Sequence, residues 1–251
     1  MIEPHGGTLV DRIVDGDDET RLRERVGGAP TIDLSVTQYH DLINLACGRY
    51  SPLDGFLSRN DFQKVVRDRT LEDGTVWPLP IILDVNSDIV ADLEPSQHVS
   101  LRSPAGELVG SIEIDEIYKY NAEETAANVF GSIDEDHPGV RRLYERDDFL
   151  IGGTITVLES AHNGRNDLAP AETRVLFEHN NWDRVVGFQT RNAPHRAHEY
   201  LQKAALESVD GLFIQPKIGD KKAGDYLDEV ITGAYDVLID EYYPSSRVAL
   251  S

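Results

Sequence analysis

Gln189, Thr190, Arg191, Asn192, His195 and His198 lie within one ten-residue span and bring two amides, a hydroxyl, a guanidinium and two imidazoles to a single place. Such a set holds anions. A guanidinium forks onto the paired oxygens of sulfate or phosphate, which a lysine imitates poorly, and amide and imidazole N–H groups add further donors. Histidines at i and i+3 point the same way from a helix, so both rings act on a common ligand. The residue types predict a place where two anions are brought together and made to react.

The elements that position this span are legible on either side of it. Residues 184–188 form a short apolar run of strand character that stops at a polar cluster, so a strand delivers Gln189 to its carboxyl end. Pro194 suits the first turn of a helix, where its missing N–H is no loss, and Asn192 is placed to cap that helix. On such a helix Ala197, Leu201, Ala204 and Ala205 form a stripe able to pack against a sheet, while His195, His198 and Gln202 recur on an adjoining face. Strand, turn and helix start would together offer free backbone N–H groups and the positive end of a helix dipole.

Other readings of these residues stay open at this level. The histidines could be a hydrogen-bonded pair near a helix start or two zinc ligands, although HExxH and cysteine ligands are lacking. Arg196 could reach phosphate or make a surface salt bridge. Lys217, Lys221 and Lys222 follow a second strand in a glycine-containing loop, read as solvated but able to cover the site.

The chain divides near residues 169–171. Residues 1–168 are mixed and turn-rich. Strands are expected at 98–102 and 107–115 around Ser103-Pro104-Ala105-Gly106 as a hairpin and at 149–158, with short helices at 36–46, 59–67 and 123–129. This reads as an antiparallel β-rich domain. Residues 169–251 instead alternate strand (184–188), helix (195–208), strand (212–215), helix (225–241) and strand (247–250), the pattern of a parallel sheet built from right-handed βαβ units. Ligands of such sheets sit beyond the carboxyl ends of the strands, where Gln189 falls.

Gln189-Thr190-Arg191-Asn192, followed by His195 and His198, resembles the paired QxRN and HxxH motifs of the ATP sulfurylase (sulfate adenylyltransferase) family. The similarity extends to Pro4-His5-Gly6-Gly7, Cys47 to Phe56, Asp73-Gly74, Trp77 to Ile81, Lys217 to Asp225 and Tyr242-Tyr243-Pro244, essentially the whole chain. The resemblance implies a PUA-like, β-rich barrel domain followed by a Rossmann-like α/β nucleotidyltransferase domain. It implies that ATP and sulfate become adenylyl sulfate and pyrophosphate in sulfate assimilation. Arg191 would bind sulfate, Gln189 both sulfate and ATP, and Thr190 and Asn192 the nucleotide. His195 and His198 would stabilise charge at the phosphates, and Mg²⁺ would accompany ATP without a protein-bound metal. Homo-oligomers are the family's habit. The family also carries a further glycine-rich, GRDHAG-like segment that completes the pocket, and no counterpart occurs up to Ser251. The expectation is therefore an incomplete parallel sheet in the amino-terminal part of a longer or truncated product, with weak or no activity alone. The rival classes are a nucleotidyltransferase with another acceptor and a non-catalytic PUA-like binding protein.

Composition bounds the setting. At 251 residues and 40% hydrophobic content the chain can bury one large core or two smaller ones. The single Cys47 excludes a disulfide framework, and no apolar run reaches membrane-spanning length, so a cytoplasmic protein is expected. Nucleic acid is not an expected partner, because residues 1–168 lack a basic stripe. The net charge of −21 repels anionic substrates at long range. Locally the balance reverses: between Gln189 and Lys203 stand Arg191, Arg196, Lys203 and two histidines against Glu199 alone. Lysine is scarce, six residues against eighteen arginines, and high acidity with little lysine points to an acidic proteome in a high-salt cytoplasm that screens self-repulsion. Thermal melting should then shift upward between low and molar KCl, and a fold equally stable in low salt would remove this expectation.

Overall fold

Residues 2–162, 168–219, 224 and 226–251 are described by a computed structural model, in which Pro4–Arg165 and, separately, Met1–Glu3 with Asn166–Ser251 form two units with their own apolar cores. In the first unit the short strands β1 (Ile13–Val14), β2 (Thr31–Asp33), β3 (Gly55–Phe56) and β4 (Leu83–Val85) precede the longer β5 (His98–Arg102), β6 (Leu108–Lys119) and β7 (Phe149–Leu158). Interspersed are α1 (Gly16–Arg25), α2 (Val36–Ala46), α3 (Arg59–Asp68), α4 (Ser87–Val90), α5 (Ala122–Phe130), α6 (Pro138–Tyr144) and α7 (Glu159–His162). The expected hairpin joins β5 to β6. Gly106 supplies the positive φ of its turn, and the Ser103 hydroxyl accepts from the N–H groups of Ala105 and Glu107.

The sheet runs β1-β7-β6-β5-β2, with β3 and β4 also on β7. Antiparallel pairing holds β5, β6 and β7 together, but β1 joins β7 and β2 joins β5 in parallel, so the sheet is mixed where sequence patterning implies an antiparallel one. Long connections separate these partners in the chain, which is what parallel pairing requires and what alternation within a two- or three-residue strand cannot reveal. Apolar faces of β6 and β7 (Ile112, Ile114, Leu150, Ile151, Ile155) close on Leu42, Ile43 and Leu45 of α2 to form the core. A reciprocal cap starts α2: the Ser35 hydroxyl accepts from the Gln38 N–H, and the Gln38 side-chain oxygen accepts from the Ser35 N–H.

In the second unit α8 (Pro170–His179), β8 (Val185–Thr190), α9 (Arg196–Leu206), β9 (Gly211–Pro216), α10 (Asp228–Tyr242) and β10 (Val248–Leu250) alternate, and the strands pair in the order β10-β9-β8, all parallel. The central strand β9 is buried from Gly211 to Ile214, as expected where helices cover a parallel sheet. The helix expected from residue 225 begins at Asp228, and Asp225 itself lies outside the described residues. Among the described residues no helix is long and apolar enough to cross a membrane.

Among the described glycines, the closest approach is that of Gly55 in β3 to β7. A Cβ on Gly55 would fall 1.9 Å from the Gly153 carbonyl oxygen, so neither strand could keep its place beside a side chain there. Gly55→Ala is expected to cost about 3 kcal/mol of stability, measured by urea unfolding.

Candidate anion site at the end of β8

β8 loses its apolar run after Phe188 and ends on Gln189 and Thr190, in register with Gln215 and Pro216 of β9. The chain then leaves the sheet in a pinned turn. The Asn192 N–H donates to the Thr190 hydroxyl at 3.2 Å, and the Thr190 carbonyl accepts from the Lys217 N–H at 2.7 Å. Gln189, Arg191 and Asn192 are exposed here, and Thr190 is half-buried.

The helix start differs from the sequence-based expectation. α9 begins at Arg196, its cap is His195, and the His195 Nδ1 accepts from the Ala197 N–H at 3.2 Å. Asn192 is not the cap: the helix starts four residues after it, residues 191–194 form the connection, and its own N–H turns back onto Thr190. Pro194 precedes the helix and disfavours helical backbone in the residue before it. One consequence is electronic. An Nδ1 that accepts leaves the proton of neutral His195 on Nε2.

The packing face of α9 also differs. Gln202 and Leu206 are buried and His198 and Ala205 half-buried, whereas Leu201 is 57% exposed and Ala197, Tyr200 and Ala204 are exposed as well. The face bearing His198 therefore turns inward, not the alanine and leucine stripe. A buried glutamine needs partners, and Tyr243 provides one: its hydroxyl donates to the Gln202 Oε1 at 2.6 Å. Burial, with the nearby acidic groups Glu199 and Tyr235 adding to it, pushes the Tyr243 phenol up to about 12, so it remains a donor at any physiological pH.

The two imidazoles stack, with ring centroids 3.8 Å apart and 25° between planes, and the edge of Phe188 meets His198 at 5.5 Å. Burial holds His198 below the ordinary histidine range, and the neighbouring His195 adds to this. Its Nδ1 is sealed from solvent with no hydrogen-bond partner among the described residues. At the far end of α9 the Arg247 guanidinium donates to the carbonyls of Leu206, Val209 and Asp210, fixing the last turn with a cation at the negative end of the helix. Glu199 is engaged by Lys203 at 2.6 Å, a contact that lowers its carboxyl pKa, with the charges of Lys203 and Arg196 assisting.

The six predicted residues thus occupy one strand end, one turn and one helix start. Arg191 and two amides stand at the exposed turn, and the two imidazoles stack at the helix start. Such a place can bind and neutralise oxyanions. No three His, Cys, Asp or Glu side chains among the described residues converge as a metal site would need. Lys217 contributes its backbone N–H to the turn, while Lys221 and Lys222 lie outside the described residues. Sequence reasoning missed Tyr243 as the hydrogen-bond partner of Gln202 and Tyr235 as its buried neighbour. The only signal was a glutamine four residues after His198, which alternation of apolar residues treats as surface.

Residues 2–160 match the family described as PUA-like domain, and residues 165–251 match the family described as ATP-sulfurylase. The sulfate adenylyltransferase of Staphylothermus marinus is 43% identical over 250 residues, 99% of this chain and 65% of that protein. The sulfate adenylyltransferases of Halothermothrix orenii and Pyrococcus abyssi are each 42% identical, over 100% and 99% of this chain and 66% and 65% of theirs. The chain thus spans about two thirds of the length of these curated relatives. Among solved structures, a hexameric APS kinase from Thiobacillus denitrificans superposes with a TM-score of 0.74 at 27% identity, covering 100% of this chain and 46% of that one.

Because His195 opposes protonation of His198, His195→Ala should move the His198 titration upward, toward the ordinary histidine value. Proton NMR titration of the ring signals reads this directly, and an unmoved His198 would show that the stacked pair is not electrostatically linked.

Proposed function

The chain belongs to the ATP sulfurylase family, with a PUA-like domain in its amino-terminal part, and from that premise we propose that it carries the sulfate- and ATP-facing turn of a sulfate adenylyltransferase. The observation that carries this reading is the convergence of Gln189, Thr190, Arg191 and Asn192 at the carboxyl end of β8 with the stacked His195 and His198 at the start of α9.

The chemistry matches the residues. Sulfate is fully ionised near neutral pH and needs no base to activate it. A sulfate oxygen forms a bond to the α-phosphorus of ATP, the bond from that phosphorus to the bridging oxygen breaks, and pyrophosphate departs with the electron pair. The barrier is the approach of one anion to another, so the site must supply positive charge and N–H donors in fixed positions. In this reading Arg191 forks onto sulfate, Gln189 contacts sulfate and nucleotide, and Thr190 and Asn192 hold the nucleotide. His195 and His198 present N–H groups to the phosphates as charge moves onto pyrophosphate. Mg²⁺ enters with ATP, held by its phosphates. The local electrostatics support the assignment, since Glu199, the one acidic side chain of the segment, is tied to Lys203.

The setting we infer is cytoplasmic, where ATP is available and the single Cys47 stays a thiol. Self-association is part of the same reading. Tyr200 and Leu201 on α9 and Val230, Val237 and Tyr242 on α10 are large apolar side chains left exposed, and a second copy would cover such surface.

Sulfate-dependent exchange of labelled pyrophosphate into ATP, measured on the protein at its full natural length, is the test. Exchange should require sulfate and be inhibited by sulfate analogues, and exchange indifferent to sulfate would assign a different acceptor. Arg191→Ala should lower kcat/KM for sulfate by about a thousandfold or more, the scale of losing a preorganised charged donor. Unchanged kinetics in that variant would sink the role of Arg191.

A further inference from the structure

Among the described residues of the second unit, the buried polar side-chain atoms without a hydrogen-bond partner are the His198 Nδ1, the Gln202 Nε2 and the Tyr235 hydroxyl. They share one neighbourhood. His198 and Gln202 are four residues apart on α9, so their side chains adjoin on the same helix face. Gln202 and Tyr235 are both 0% exposed; Tyr235 packs in one core with Tyr243, to which Gln202 is hydrogen-bonded. Burial raises the pKa of the Tyr235 phenol and the Gln202 side chain opposes that rise, which puts the amide beside the hydroxyl although the pair forms no regular hydrogen bond.

The orientation of the amide follows from Tyr243. That phenol donates, so the Gln202 oxygen accepts, and the two N–H groups of the amide must point elsewhere. Buried donors need acceptors. The acceptors within the cluster are the Tyr235 oxygen and, one helical turn back, the His198 Nδ1 if that nitrogen carries a lone pair and no proton. The donors and acceptors match in number: the amide has two N–H groups, and the cluster holds two acceptors that are themselves unpartnered.

We propose that Gln202 is a positioning residue for His198: anchored by Tyr243, its amide faces the buried Nδ1 as a donor and so keeps the imidazole proton on Nε2, the nitrogen that is not sealed in the core. His195 arrives at the same tautomer by another route, through the Ala197 N–H on its Nδ1. The stacked pair then presents two like-oriented Nε2–H donors to an anion. An Nδ1 proton on His198 would meet amide hydrogens, and one on His195 would meet the Ala197 N–H. The first is costly because the His198 Nδ1 is sealed from water, and the second would give up the contact that caps α9. This deepens the reading given under Proposed function, and it rests on that reading only for the identity of the anion.

The direct readout is the ¹⁵N chemical shifts of the His198 ring nitrogens in the full-length protein, at a pH where the ring is neutral. The native protein should show His198 as the Nε2–H tautomer. Gln202→Met keeps the length of the side chain and removes its donors. It should leave His198 with a mixture of tautomers and lower kcat for pyrophosphate exchange about tenfold while KM for ATP changes little, and it should not alter the far-UV circular dichroism. Should that variant fold poorly, Tyr243→Phe releases the anchor with one atom removed, and should shift the tautomer in the same direction by less. A folded Gln202→Met protein in which His198 keeps a pure Nε2–H tautomer, or a native protein with the proton on Nδ1, would overturn the proposal. The two readings fail separately. Loss of the tautomer preference in Gln202→Met supports the positioning role even if sulfate-dependent exchange is absent, an outcome that would count against the adenylyltransferase reading alone.

Discussion

The hydrogen bond from the Tyr243 hydroxyl to the Gln202 amide, 2.6 Å long and fully removed from water, decides which face of α9 turns inward and hence where the histidines stand. An amphipathic helix with both a small apolar stripe and a polar stripe would ordinarily bury the first, and leaving Leu201 in solvent forgoes about 2 kcal/mol. Burying Gln202 instead is tolerable only because a tyrosine from the end of α10 meets its oxygen. Leu206 and the half-buried rim of His198 join it on that face, and Arg247 holds the last turn from the other end. The helix is thus held in rotation by one polar contact, and Arg247 ties its last carbonyl, at Leu206, to those of Val209 and Asp210 just beyond it. The imidazole pair at its start inherits that precision.

A second constraint is electrostatic. On the proposed reading, a chain with a net charge of −21 must collect anions against its own field, and within a few Å of the ligand only local groups matter, since salt screens the rest. The turn after β8 meets this with donors that carry little net charge of their own. Apart from Arg191 they are amides, a hydroxyl, backbone N–H groups and two imidazoles, and burial opposes protonation of His198. Neutral donors in a fixed array do not repel one another when the ligand is absent, so the array costs less to maintain than a cluster of cations.

Much of this architecture was legible in the residues. The apolar run ending at Gln189 announced a strand with polar chemistry at its carboxyl end, and the alternation of strand and helix beyond residue 169 announced the parallel sheet that β8, β9 and β10 form. The hairpin around Gly106 and the span of α2 were equally plain, because a turn glycine and a Ser35–Gln38 box are local signals. What escaped were features made by distant partners. Asn192 looked like a cap because its type suits one, yet α9 starts four residues further on and the cap is His195. The parallel attachment of β1 and β2 escaped because two or three residues carry no period.

The sequence by itself determined the chemical inventory, the order of the elements and the meeting of strand end, turn and helix start, since these depend on residue types and spacings along a short stretch. Only the tertiary structure decided how α9 is rotated, which atom of each imidazole is sealed or engaged, and that Gln202 belongs to the core. Those outcomes depend on Tyr243, Tyr235 and Arg247, some thirty to fifty residues away along the chain. A buried hydrogen bond is decided by two partners at once, and periodicity along one helix reports only the first of them.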